Sequence, residues 1–220
     1  MRFWPLWLLV LTLGLSSCGA SAPPLPPVAP NQANQILLLN ELDGIGANST
    51  ITILAPALIS ESNTILAGAL EPGAEPIAYQ PVLSIPAQTL AITSNIAVLR
   101  INGVLKSPTE LEPITVKPIE PTNISLGELN QNLAVYNNQV LRLNGTLLLK
   151  DQAALLVEEV GSGGVPTANA AQITVAQIPS QSPLIQQLPN QQGNIRYGPI
   201  SLVGMLRGKT LHVFWVEAQP

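Results

Sequence analysis

Through most of the chain, apolar residues alternate with polar ones over short stretches that end in polar turns. Val98-Leu99-Arg100-Ile101-Asn102-Gly103-Val104-Leu105 runs into Lys106-Ser107-Pro108-Thr109 and returns through Ile114 and Val116. Val140-Leu141-Arg142-Leu143-Asn144-Gly145-Thr146-Leu147 repeats the pattern, turns at Lys150-Asp151-Gln152 and returns through Leu155 and Val157. A third version runs from Ile200 to Arg207, turns at Gly208-Lys209-Thr210 and returns through Leu211, Val213 and Trp215. A period of two between such turns predicts half-buried β-hairpins. Gly103, Gly145 and Gly204 recur inside the strands; an interior glycine weakens a strand, so its recurrence predicts a bulge or bend that lets the strand curl. Ile51 to Ile59, returning through Thr64-Ile65-Leu66-Ala67, reads as a degraded copy with Pro56 where the others have glycine.

The four hairpins fall into two pairs, each joined through a loop and a further strand. Pro72-Gly73-Ala74-Glu75-Pro76 leads to Val82-Leu83-Ser84-Ile85, and Gly161-Ser162-Gly163-Gly164-Val165-Pro166 leads to Gln172-Ile173-Thr174-Val175. Ahead of the third hairpin, Ser125-Leu126-Gly127-Glu128 is a capping-box sequence. It predicts one short amphipathic helix with Leu126, Leu129, Leu133 and Tyr136 on its apolar side, and Leu37 to Leu42 is the matching segment ahead of the first. Prolines at 113, 118 and 121 favour a boundary there, giving domains over 33–121 and 122–220.

The order hairpin, third strand, irregular or helical link (Ser182 to Leu188), hairpin resembles the OB-fold, a small five-stranded barrel. The resemblance implies an all-β chain of two tandem OB-like five-stranded barrels with short helices. One elongated β-sandwich of about ten strands is the alternative.

The amino terminus breaks this pattern. Arg2 precedes an almost wholly apolar run from Phe3 to Leu15, followed by Ser16 and Ser17, which is a signal-peptide layout over residues 1–17. The run is shorter than the roughly 20 residues of a membrane span. Leu15-Ser16-Ser17-Cys18 resembles the lipobox of bacterial lipoproteins, and Cys18 is the only cysteine. The resemblance implies cleavage before Cys18, acylation of its sulfur and new amino terminus (diacylglycerol on sulfur, a fatty acid such as palmitate on nitrogen), and attachment to a membrane of the cell envelope. Gly19 stands where that family's inner-membrane retention signal has Asp, which implies the outer membrane if the cell has two. Residues 18–32 form a tether: five prolines between Ser21 and Pro30 favour an extended chain that, at about 3.1 Å per residue, reaches some 30 Å.

Composition narrows the chemistry. The chain holds 16 Asn and 15 Gln against 9 Lys and Arg and 13 Asp and Glu, so amides and hydroxyls dominate its polar surface. Few cations and few aromatics argue against nucleic acid as a partner. A single histidine, His212, and no cysteine pair or spaced acidic cluster leave no expected metal site, cofactor or catalytic triad. A membrane-anchored OB-like protein with one histidine is similar to haem-carrying chaperones of that fold, but Leu211-His212-Val213-Phe214 lacks their His and Tyr motif. Adjacent Glu158 and Glu159 fall on opposite faces of a strand, away from any acid–base pairing.

The last hairpin concentrates the aromatic and basic residues: Tyr197, Arg207, His212, Phe214 and Trp215 are the candidate ligand-binding residues. Packing is the competing use of the same residues, with Trp215 and Val213 in the core and Phe214 capping a contact between halves. The expectation is a lipid-anchored envelope protein that serves as a non-catalytic binding or scaffolding module for an envelope protein or glycan. An envelope enzyme, or a carrier of a small ligand or oligosaccharide working from the last hairpin, is the alternative.

Overall fold

A computed structural model describes residues 35–71, 77–86, 94–161 and 163–219. The expected signal peptide over residues 1–17, Cys18 and the expected tether over 18–32 lie outside the described residues.

The described chain is all-β and forms two sheets within one compact unit. The first sheet contains β1 (Ile36–Leu37), β2 (Ser49–Ile59), β3 (Asn63–Glu71), β4 (Ile77–Pro86), β5 (Ile96–Ser107) and β6 (Glu110–Ile119). A single 3-10 turn, Leu39–Glu41, follows β1. The second sheet contains β7 (Thr122–Ile124), β8 (Val140–Lys150), β9 (Ala153–Val157), β10 (Gln172–Ala176), β11 (Asn190–Gln192), β12 (Ile195–Arg207) and β13 (Thr210–Glu217). Three short helices accompany it: α1 (Leu126–Gln131), α2 (Leu133–Tyr136) and α3 (Pro183–Gln186).

Both sheets close on themselves. In the first, β2, β3, β4, β6 and β5 are neighbours in that order, and β5 pairs back onto β2. In the second, β8, β9, β10, β13 and β12 follow the same order, and β12 pairs back onto β8. The five strands thus run first, second, third, fifth, fourth and return to the first, with the third and fifth parallel. This is the connectivity expected for an OB-like barrel, and it replaces the single sandwich with two separate rings. In the first ring the parallel seam is one pair, Ser84 with Glu110; in the second it is three, from Thr174–Thr210 to Ala176–His212.

Each ring is filled by the inward half of its alternating residues. Ile51, Ile53, Leu66, Leu83, Leu99 and Ile101 are buried in the first; Leu141, Leu143, Leu156, Ile173, Leu202 and Leu211 fill the second. Gly103 and Gly204 sit at the bulges their recurrence predicted, Gly145 pairs with Ile200 without a register shift, and all three approach backbone closely. A Cβ on Gly103 would lie 2.5 Å from the Glu112 carbonyl oxygen, and one on Gly145 would lie 2.7 Å from that of Val157. Gly204 stands equally tight against the His212 carbonyl. Register shifts at Asn102/Gly103 and Val203/Gly204 leave Ile114 and Phe214 as the extra, bulged residues opposite them.

Two local expectations need correction. The helix after Ser125 is broken at Asn132, whose φ of −131° and ψ of 33° leave the helical region. Ser125 Oγ does accept from the Glu128 N–H at 3.1 Å, but the Glu128 carboxylate takes the Tyr136 hydroxyl instead of returning to the cap. Ile114, placed inward by simple alternation, is 62% exposed because the bulge reverses its direction.

Candidate functional site at the seam between the sheets

Polar residues border an apolar seam where the two sheets meet. Its centre is a third apolar cluster: Leu38, Leu54, Ala67, Leu70 and Val98 of the first half pack against Val140, Val203, Met205, Phe214 and Trp215 of the second. The bulge explains the geometry. Val213 and Val216 turn into the barrel, whereas Phe214 and Trp215 both join the seam, breaking the alternation between them. Phe214 is 1% and Trp215 6% exposed. The indole N–H of Trp215 donates to Glu217 Oε1 at 2.8 Å, and the Glu217 carboxylate also accepts from Arg142 Nε and Nη2 at 3.1 and 3.3 Å.

One border is a charged pin. Arg207 donates through Nη1 to Glu41 Oε1 and through Nη2 to the Ile36 carbonyl at 2.6 Å, while Glu41 Oε2 accepts the Leu38 N–H at 2.8 Å. The last hairpin of the second half is thereby fixed to the 3-10 turn of the first. His212 lies in the same electrostatic neighbourhood, half-buried, with Nδ1 buried and without a hydrogen-bond partner. Burial holds its pKa below the usual 6.5, the Arg207 charge lowers it further, and Glu41 opposes both.

A second border holds a buried carboxylate. Glu71, at the end of β3, is 8% exposed. Its Oε1 accepts the hydroxyl of Ser182, from the other half, at 2.9 Å, and its Oε2 accepts the Tyr79 hydroxyl at 3.2 Å. Burial and the adjacent carboxylate raise the Tyr79 pKa above its ordinary range, so it stays a neutral donor. Beside this contact opens a groove of about 300 Å³, lined from the first half by Gly68, Tyr79 and Gln80 and from the second by Gln177, Ile178, Ser180 and Gln181. Gln177 carries a left-handed backbone, φ 61°, which turns the chain out of β10 along the rim.

The structure unites some of the candidate residues and separates others. Arg207 and His212 meet at the pin, and Phe214 and Trp215 are packing residues of the seam. Tyr197 sits ten positions from Arg207 on β12, about 30 Å along the strand, against Gly164. The five do not form one open face. Sequence reasoning missed Glu41, Glu71, Ser182 and the groove. The amide-rich link Gln177-Ile178-Pro179-Ser180-Gln181 was the available signal for the groove; nothing local marks Glu71 and Ser182 as partners.

A further groove of about 430 Å³ lies on the second barrel between Asn130, Leu133, Leu155, Gln172, Thr174 and Lys209. Among the described residues, no three His, Cys, Asp or Glu side chains gather as a metal ion would require. The chemistry these grooves offer is hydrogen bonding by amides and hydroxyls, joined in the second by the Lys209 ammonium. Comparison with protein families, with curated proteins and with solved structures finds no match to this chain.

Proposed function

We propose that the chain is a lipid-anchored lipoprotein of the cell envelope, attached through acylated Cys18 and facing away from the cytoplasm, on the outer membrane where the cell has two. Its folded body serves as a non-catalytic binding or scaffolding module. The observation that carries the anchor is Leu15-Ser16-Ser17-Cys18 at the end of an apolar run, with a proline-rich stretch behind it. Two acyl chains or more make such attachment durable, which one chain alone does not. The binding role is supported by the grooves, whose polar groups are chiefly amides and hydroxyls, with Lys209 at the second. A carrier or enzyme working from the last hairpin would need Phe214 and Trp215 free, and both are packed in the seam.

Radiolabelled palmitate fed to cells expressing the wild type or Cys18→Ala tests the anchor. Label in the wild type alone, together with its recovery in the membrane fraction, is the expected result. Equal membrane recovery of both proteins, unlabelled, would overturn it.

A further inference from the structure

Arg100 on β5 and Lys117 on β6 are direct cross-strand partners on the outer face of the first barrel, and both are exposed. Like charges set opposite one another destabilise a sheet. Among the described residues neither forms an ion pair or a side-chain hydrogen bond. Glu120, the nearest acid in sequence to Lys117, is exposed and lines a seam groove with Arg100 without pairing to it. The second barrel fills the same positions differently. Its equivalent pair is Ser201 with Glu217, and Glu217 takes Arg142 of the same face in an ion pair at 3.1 Å. Where that face neutralises its cation internally, the first leaves two cations facing outward in a chain of net charge −4. Two further features say what carries the missing anion. Ile114, 62% exposed, stands three positions before Lys117 on the same strand, about 10 Å away, so the cations adjoin an uncovered apolar side chain. Ile36 also lines the groove of about 200 Å³ that Arg100 borders, and Gln35, the first described residue, precedes it. The chain coming from Cys18 therefore enters the body beside this face.

We propose that the outer face of β5 and β6 lies against the headgroups of an anionic phospholipid membrane. Arg100 and Lys117 take phosphate oxygens, the first through its planar fork of donors and the second as a point charge. Ile114 reaches the boundary with the acyl chains, as the apolar side of an interfacial element does. Each basic group near an anionic surface adds only a modest attraction, too little for two of them to retain an acidic protein there. Acylated Cys18 supplies retention, and this face supplies orientation. The inference rests on the lipid-anchor reading and goes beyond it, because an anchor alone leaves the body free to present any side to the membrane.

The full-length lipoprotein carrying Ile114→Cys, labelled there with the environment-sensitive dye NBD and checked by peptide mass, is reconstituted into phosphatidylcholine vesicles with or without phosphatidylglycerol. Dye emission should rise and shift to the blue on the phosphatidylglycerol vesicles alone, and return toward its aqueous value at high salt. A dye placed by Gln191→Cys, exposed on β11 of the second barrel, should stay aqueous on both. Arg100→Gln and Lys117→Gln should each weaken the contact about fivefold, read as the ratio of contacted to free dye. Neither removes a stabilising partner, so melting temperatures at or above that of the wild type certify folding. Three results overturn the proposal: aqueous emission on both kinds of vesicle, an equal response on both, or a response that survives loss of both cations. Capture of soluble polyglutamate through Arg100 and Lys117, with no response on vesicles, would also overturn it and assign the pair to an acidic protein. Flotation with the neutral vesicles scores the anchor separately. A chain that fails to float there, yet responds to added phosphatidylglycerol vesicles, sustains the face and refutes the anchor.

Discussion

The same bulge is built twice in this molecule, and its two copies face opposite surroundings. In the first barrel Gly103 on the fourth strand admits the extra residue Ile114 on the fifth; in the second Gly204 admits Phe214. The backbone device is shared, and in each the glycine meets the facing carbonyl too closely for a side chain. Yet Ile114 is 62% exposed and Phe214 1%. Thr115 and Trp215 follow at matching positions. A bulge turns consecutive side chains away from the barrel core, and what lies outside decides whether they are solvated or packed. The second barrel has used this outward pair to dock its neighbour, and the first has not.

The largest expected effect comes from removing that docking pair. Phe214→Ala should cost about 3–5 kcal/mol, as loss of a buried aromatic side chain does, measured by urea unfolding. Ile114→Ala at the equivalent position should stay within about 0.5 kcal/mol, as an exposed change does. Equal losses at the two sites would mean that the Ile114 face is covered as well. A second result sharpens the picture further: weakening the seam should turn one cooperative transition into two, because each barrel has its own core.

The glycines should respond alike, since the comparison attributes the difference between the barrels to surroundings and not to the bulge itself. Gly103→Ala and Gly204→Ala each place a methyl group against backbone, which cannot swing aside as a side-chain end can. Overpacking of this kind costs about 1–3 kcal/mol. Gly208→Ala, at φ 61° but with open space around it, carries only the backbone cost of a left-handed alanine, of the order of 1 kcal/mol. Denaturation midpoints of the three variants check the ranking, and a Gly103→Ala protein as stable as wild type would remove the steric basis of the shared bulge.

Much of this architecture was legible in the sequence, because hairpins announce themselves locally. The alternation around Gly103, Gly145 and Gly204 and the polar turns after them contain the pairing information, and two such hairpins with a strand between them imply the ring order. Alternation placed Phe214 outward, at a contact between the halves, where it is found; the direction of Trp215, expected in the core with Val213, was not legible, because a bulge shifts the period by one and only the pairing of Val203 with Trp215 and Gly204 with Val213 reveals where. The break at Asn132 escaped notice for a related reason, since Leu126, Leu129, Leu133 and Tyr136 fit a continuous helical face whether or not the backbone between them is continuous. Glu71 and Ser182 are 111 residues apart and meet only because the barrels dock. Of the candidate binding residues, Arg207 and His212 share the pin, Phe214 and Trp215 share the seam, and Tyr197 stands apart; the groove is built from side chains the composition marked merely as abundant.

The two hairpin ends extend the comparison to charge, with the smallest expected effect. Where the first barrel has Lys106 and Glu112, an exposed ion pair at 2.6 Å, the second has Arg207 and His212 at the matching positions. Glu41 from the other half has taken the place of the hairpin's own anion. Consequently the second hairpin carries an imidazole beside a fixed cation. Because burial and Arg207 lower the pKa of His212 in the folded chain, the unfolded chain binds its proton more readily. Stability from this residue is therefore complete above the unfolded value of 6.5 and declines as pH falls from there toward the lower folded value. Glu41, which attracts the imidazolium, limits the decline. His212→Gln should flatten the stability profile between about pH 7 and 5, while Glu41→Gln, which withdraws the opposing anion, should steepen it. Melting temperature followed across that interval reads both slopes; a His212→Gln profile parallel to wild type would place the pH dependence elsewhere and leave the two hairpin ends electrostatically equivalent.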